Sequence, residues 1–179
     1  MTAITITNAE ATVTEAVRAS LRAATVDGVA VFKQATIMGS EDAAYEKRLT
    51  GDGPMAIVIF EGIEETPGIV TNTTPEAMIE LSLLLVLMAR VEPSRDEGDK
   101  LTAMLRLCNA AKNVIEADRA TLATAAGIAN LGCAVEDVYH PGIRWDSPDI
   151  DATEIVKSPW AVVRQRLTIG YTLDDATSH

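Results

Sequence analysis

Few residues in this chain could do covalent chemistry. Cys133 and His140 stand seven positions apart, beside Tyr139, and a thiolate and an imidazole so placed could act as nucleophile and base. The simpler expectation is a small buried cysteine after a helix and a histidine carried on a loop; the other histidine is His179. The run DSPDIDATE gathers Asp146, Asp149, Asp151 and Glu154. It lacks the glycine at the sixth position and the glutamate at the twelfth that a calcium loop needs, so a solvated acidic face is expected there. Cys108 falls on the apolar stripe of a helical pattern and is expected in the core. Arg164 and Arg166 share one face of an alternating segment and could hold a phosphate, but in an acidic chain they are expected to pair with carboxylates. There is no P-loop, no GxGxxG after a strand and no GxSxG. No catalytic, metal-binding or cofactor-binding residue is assigned, and an enzyme is not expected.

These residues must be positioned by elements that the hydrophobic pattern outlines. The segment AMIELSLLLVLMARV at 77–91 decides the architecture, because it reads as a membrane anchor, a buried helix or a long strand. Its odd positions, from Ala77 through Ile79, Leu81, Leu83, Leu85, Leu87 and Ala89 to Val91, are all apolar; its even positions are mixed. Strict alternation is the period of a strand. A helix would put Ser82 and Arg90 on the stripe of Ile79, Leu83, Val86 and Leu87, which is less clean. Glu80 and Arg90 interrupt a run already shorter than the ~20 apolar residues a membrane helix needs. The segment is expected as a central strand, buried fully on one face and partly on the other.

Around it, 10–25 repeats Val13, Val17, Leu21 and Ala24 at helical spacing, with Asp27-Gly28 as an expected stop. VAVF at 29–32 reads as a strand, 39–49 as a short helix or an excursion, and MAIVIFE at 55–61 as an interior strand. Residues 62–76, with Pro67, Gly68, Asn72 and Pro75, read as a loop or a splayed hairpin. Ser94 and Glu97 have capping-box spacing before a helix with Leu101, Met104, Leu105, Cys108, Ala111 and Ile115 on one side. An Ala-rich helix over 119–130 and a loop or arm over 133–159 follow, then WAVVRQRLTIGYTL at 160–173 as a half-solvated strand. The expected fold is α+β: one domain over 1–179, a mostly antiparallel sheet with long strands, packed on one side by two or three helices.

Composition narrows function by exclusion. The chain of 179 residues is 47% hydrophobic and only 4% aromatic, so its core is built mainly from Ala, Val, Ile and Leu. Two cysteines make no disulfide framework, and the first residues lack the basic-then-apolar pattern of a secretory signal, so synthesis in the cytosol is the simplest expectation. The formal charge of −11, from 26 acidic against 15 basic residues, argues against gripping a nucleic acid through its phosphates.

The order and texture of these elements resemble the tail terminator, or tail completion, proteins of long-tailed bacteriophages. The residues carrying the resemblance are AVRASLRA in the first helix, GPMAIVIFEG at 53–62, IELSLLLVLMARVEPSRDEGDKLTAMLRL, and AVVRQRLTIGYTL near the end. It covers most of 10–173; the extra helix at 119–130 and the arm at 133–159 depart from it. The resemblance implies a non-enzymatic virion protein of the tail neck, assembled in the host bacterial cytoplasm. It would form a homohexameric ring that caps the tail tube, stops tube polymerisation and offers a surface to head–tail connector proteins. Its partners would be further copies of itself, the tail tube protein and the connectors, with DNA passing through the lumen unbound and no membrane involved. A connector or a tube subunit is the alternative reading, and a small cysteine-dependent enzyme a more distant one. Glu61, Glu64, Glu65, Asp146, Asp149, Asp151, Glu154, Arg164 and Arg166 are the expected ring or partner surface, the acids being placed on loops that flank long strands.

Overall fold

A six-stranded sheet follows from the alternating segments. The computed structural model describes residues 9–47, 50–67, 77–91, 97–120, 122, 142–150 and 159–173. Helix α1 (Ala9–Ala23) is followed by a two-residue-per-strand hairpin, β1 (Thr25–Val26) and β2 (Val29–Ala30), and by β3 (Gln34–Met38). Then come α2 (Glu41–Lys47), β4 (Met55–Pro67), β5 (Ala77–Arg90), α3 (Glu97–Ala117), β6 (Ile143–Trp145), β7 (Asp149–Ile150) and β8 (Trp160–Leu173). The main sheet runs β3-β4-β5-β8-β6, with β7 also on β8. Only β3 and β4 are parallel; every other pairing in it is antiparallel.

The segment at 77–91 is extended, as alternation requires. β5 pairs β4 on one side and β8 on the other along almost its whole length, from Ala77 opposite Leu173 to Arg90 opposite Trp160. Its odd residues Ile79, Leu81, Leu83, Leu85 and Leu87 are buried under α1 and α3 together with Val58, Val163, Leu167 and Ile169. Its even residues divide. Leu84, Val86 and Met88 join Met55, Ile57, Ile59, Trp160 and Val162 in a second, smaller core, whereas Glu80 and Ser82 are half-buried.

Two helices cover the first face. Val13, Val17 and Leu21 of α1, and Met104, Leu107, Cys108, Ala111 and Ile115 of α3, are the buried stripes. The third helix, α2, lies on the opposite face through Ala44 and Tyr45. That placement follows from the parallel pairing, since parallel neighbours need a long crossover and this one crosses the second face. Ser40 caps α2 by accepting a hydrogen bond from the Ala43 amide at 3.3 Å.

Several expectations are corrected. Asp27-Gly28 does not end α1. Both residues have positive φ (53° and 76°) and make the tight turn of the β1–β2 hairpin, for which Asp-Gly is well suited. Of VAVF, only Val29 and Ala30 are strand, because the chain then turns so that Phe32 enters the core. β3 was not anticipated. The polar stretch at 39–49 does contain a helix, and 62–67 extend β4; the rest of the expected loop or hairpin, 68–76, lies outside the described residues. Within the expected arm at 133–159, residues 143–145 and 149–150 are strands on β8, so β8 is not the free edge along its middle. Ser94, the 119–130 helix beyond residue 122, and most of the arm lie outside the described residues.

Candidate functional site

The sheet face opposite α1 and α3 carries Glu61, Glu64, Asp146, Asp149, Arg164 and Arg166. Along β8 the even residues point to this face, so Arg164 stands opposite Val86, Arg166 opposite Leu84 and Thr168 opposite Ser82. The small core beneath α2 ends at Leu84, and the two arginines flank it on β8, level with Val86 and Leu84.

A bulge in β4 supplies their partner from one side. Phe60 pairs with Leu83 and Gly62 with Ser82, leaving Glu61 as the extra residue. Its carboxylate accepts a forked pair of bonds from Arg166, Nε to Oε2 at 2.6 Å and Nη2 to Oε1 at 3.0 Å. Asp146 stands 3.8 Å from the same guanidinium on the other side. Hydrogen bonding to Glu61, then its charge, raises the Arg166 pKa. Arg164 bonds Glu41 of α2 at 3.0 Å and Asp149 of β7 at 3.2 Å, and lies over the Tyr45 ring at 5.6 Å. Burial pulls its pKa down, but Tyr45, Glu41 and Asp149 outweigh that and the net shift is upward. Two guanidinium groups are thus held among Glu41, Glu61, Asp146 and Asp149, a belt that remains net acidic.

The ladder on this edge is itself irregular. β6 pairs Trp145 with Leu167, whereas β7 pairs Asp149 with Arg164, so three residues, 146–148, oppose two on β8 and the ladder slips after the Asp146 amide, which still donates to the Arg166 carbonyl at 3.2 Å. Buried Gln165 closes that gap by donating from Nε2 to the Asp146 carbonyl at 2.5 Å. On the first face, Trp145 donates from Nε1 to Glu116 of α3 at 2.9 Å, with Lys112 Nζ 6.0 Å from its ring centre. Further along the second face, Glu64 stands opposite Glu80, and Glu80 accepts a bond from Arg144 at 2.8 Å.

The expected residues are therefore partly assembled. Glu61, Asp146, Asp149, Arg164 and Arg166 form one belt; Glu64 is exposed farther along the same face, and Glu65 pairs in register with Ile79. Glu61 to Glu65 lie in strand β4 rather than on a loop, because the bulge lets the strand continue past Gly62. Asp151, Glu154, Cys133, His140 and His179 lie outside the described residues. Glu41, Glu80, Arg144 and Gln165 are members that sequence reasoning missed. The glycine in IFEG, interrupting an apolar alternation, was the available signal for the bulge. Cys108 is buried, and burial pushes its thiol up to about 11. Among the described residues no cluster of His, Cys, Asp and Glu is arranged to hold a metal, and no helix is long and apolar enough to cross a membrane.

No protein-family model matches the chain, and no curated protein matches it in sequence. Among solved structures it is similar to the sheath/tube terminator, in the extended state, of PVC, an extracellular contractile injection system. The identity is 12% and the TM-score 0.43, and the alignment covers 98% of this chain. The chain spans 59% of the length of that one.

Proposed function

We propose that this chain is a structural, ring-forming tail terminator. Copies of it would close into a homohexamer on the finished tail tube, stop the addition of tube subunits and present the surface that head–tail connector proteins join. The observation that carries this reading is the match between the sequence segments of the terminator pattern and the elements they form. The first helix, the Pro-entered β4, the long β5, the amphipathic α3 and the alternating β8 all occur where that pattern puts them. A closed ring of identical subunits needs two different, mutually complementary side surfaces on each. The belt of Glu61, Asp146, Asp149, Arg164 and Arg166, with Glu64, Glu65, Asp151 and Glu154, is assigned to the ring or partner surfaces. The acidic excess suits a channel that DNA crosses without being held, because each phosphate contact would add affinity. No catalysis and no cofactor enter this role.

The test is tube assembly. Purified tube subunits polymerised with the protein should give tubes capped at one end and shorter than those formed without it, by electron microscopy. Native mass spectrometry should show a closed oligomer, six copies being expected. Tubes of unchanged length, or indefinite filaments of this protein alone, would overturn the reading, the latter in favour of a tube subunit.

A further inference from the structure

Among the described residues the sheet has two open stretches of edge, and their side chains match. β4 is 13 residues long, but β3 covers only Met55 to Ile59 of its outer side. From Phe60 onward no described strand pairs with that edge. The opposite edge is β6, which pairs β8 on its inner side and no described strand on its outer side. Unpaired strand edges are templates for strand addition.

The register shows that the two edges lie at the same height. Ile63 faces Leu81, which faces Ile169, which faces Ile143; Phe60 faces Leu83, which faces Leu167, which faces Trp145. On the helix-covered face both edges are apolar. Phe60 and Ile63 are 45% and 49% exposed, and Ile143 and Trp145 are half-buried. On the other face their charges are opposite: exposed Glu64 on β4, and on β6 Arg144, whose side chain is 64% exposed although it bonds Glu80 of its own chain at 2.8 Å, so a neighbour's Glu64 would share it with Glu80. Directions agree too. β4, β5, β8 and β6 alternate, so a neighbouring copy in the same orientation brings its β6 antiparallel to β4. Pairing β4 antiparallel with a second β4 over the same stretch would instead bring Glu61 of each copy towards Glu64 of the other, which is unfavourable.

We infer that copies of this chain join edge to edge, the Phe60–Glu64 stretch of β4 in one copy adding antiparallel to Ile143–Trp145 in the next. This rests on the self-association proposed above and names the surfaces that make it. A β4 edge that accepts only a β6 edge is head-to-tail, the arrangement that closes rings, and equal height favours closure over a rising helix.

Cysteine pairing tests the contact. Within one copy Ile63 and Ile143 are separated by β5 and β8, about 14 Å at ~4.8 Å per strand, beyond disulfide reach. A chain carrying both Ile63→Cys and Ile143→Cys should therefore give, on oxidation, a reducible ladder of covalent oligomers. Neither single variant should do so, which accounts for the native cysteines. Glu64→Arg or Arg144→Glu alone should raise the half-association concentration by about tenfold and the two together should restore it, whereas Glu80→Gln, which removes only the contact within one copy, should not raise it. An oligomer that forms without the ladder and ignores both reversals would overturn the edge contact while leaving self-association standing. A chain that stays monomeric at every concentration, with tube subunits present, would overturn both. Cross-linking to the tube subunit alone would assign the edge to that partner and overturn pairing between copies.

Discussion

At the residue scale, burial separates the two arginines although both are paired. Arg166 and its partner Asp146 are each about half exposed, although Glu61 is less so, and the pair resembles surface ion pairs. Arg166→Met should cost less than about 1 kcal/mol in urea unfolding. Arg164 is more enclosed and connects α2 to β7 through Glu41 and Asp149. Arg164→Met should cost about 1.5–3 kcal/mol, and this ordering of the two variants is the outcome to check. Cys108 gives a separate, pH-linked expectation. Its pKa rises from 9.0 to about 11 because the thiolate would be buried. A raised folded pKa contributes stability that is present below the unfolded value and lost as pH rises through the folded one. The wild type should therefore lose stability between pH 9 and about 11 more steeply than Cys108→Ala. Alkylation of Cys108 at neutral pH should proceed only on unfolding, as peptide mapping would show.

At the element scale, β5 is the strand on which the sheet depends, since it is hydrogen-bonded on both edges and buried on both faces over Leu83–Met88. Leu85→Ala should cost about 2–5 kcal/mol by leaving a cavity in the larger core, and chemical denaturation would measure it. Gln165→Leu should cost about 1–3 kcal/mol, because the Asp146 carbonyl at the gap between β6 and β7 would lose its donor. These elements differ in how much the sequence disclosed. β5, β8, α1 and α3 were readable because long periodic runs average over many positions, and a one-residue slip would turn every leucine of β5 to the wrong face. β3, β6 and β7 were not readable. QATIM, IRW and DI are too short to show a period, and they are strands because β4 and β8 offer them edges. The same distinction governs the candidate site. The arginine pair was visible on alternating β8, and its pairing with acids was expected from composition. That the acids would be Glu41, Glu61, Asp146 and Asp149 depended on a bulge, a crossover helix and a broken edge, all products of tertiary pairing.

At the scale of the whole molecule, long-range charge opposes the assembly that local complementarity favours, and magnitude decides which wins. Each copy carries −11. For a chain of this size, neighbouring centres would sit about 30–40 Å apart. Treated as point charges, two copies repel by on the order of 5 kcal/mol at ~0.01 M salt, where the screening length is about 30 Å. At ~0.15 M the length falls to about 8 Å and the repulsion drops well below 1 kcal/mol. An exposed Glu64–Arg144 contact contributes no more than about 1 kcal/mol and is itself screened, so repulsion dominates in dilute buffer. Self-association should therefore strengthen as salt rises from ~0.01 to ~0.15 M, and sedimentation velocity at fixed protein concentration would measure this. Weakening over that range would mean that contact charges outweigh the net charge, and the edge would have to be far more desolvated than Glu64 and Arg144 now are. The same excess of acid predicts that the assembled protein leaves duplex DNA unretarded in a gel at the lower salt, where any phosphate-binding surface would grip most strongly.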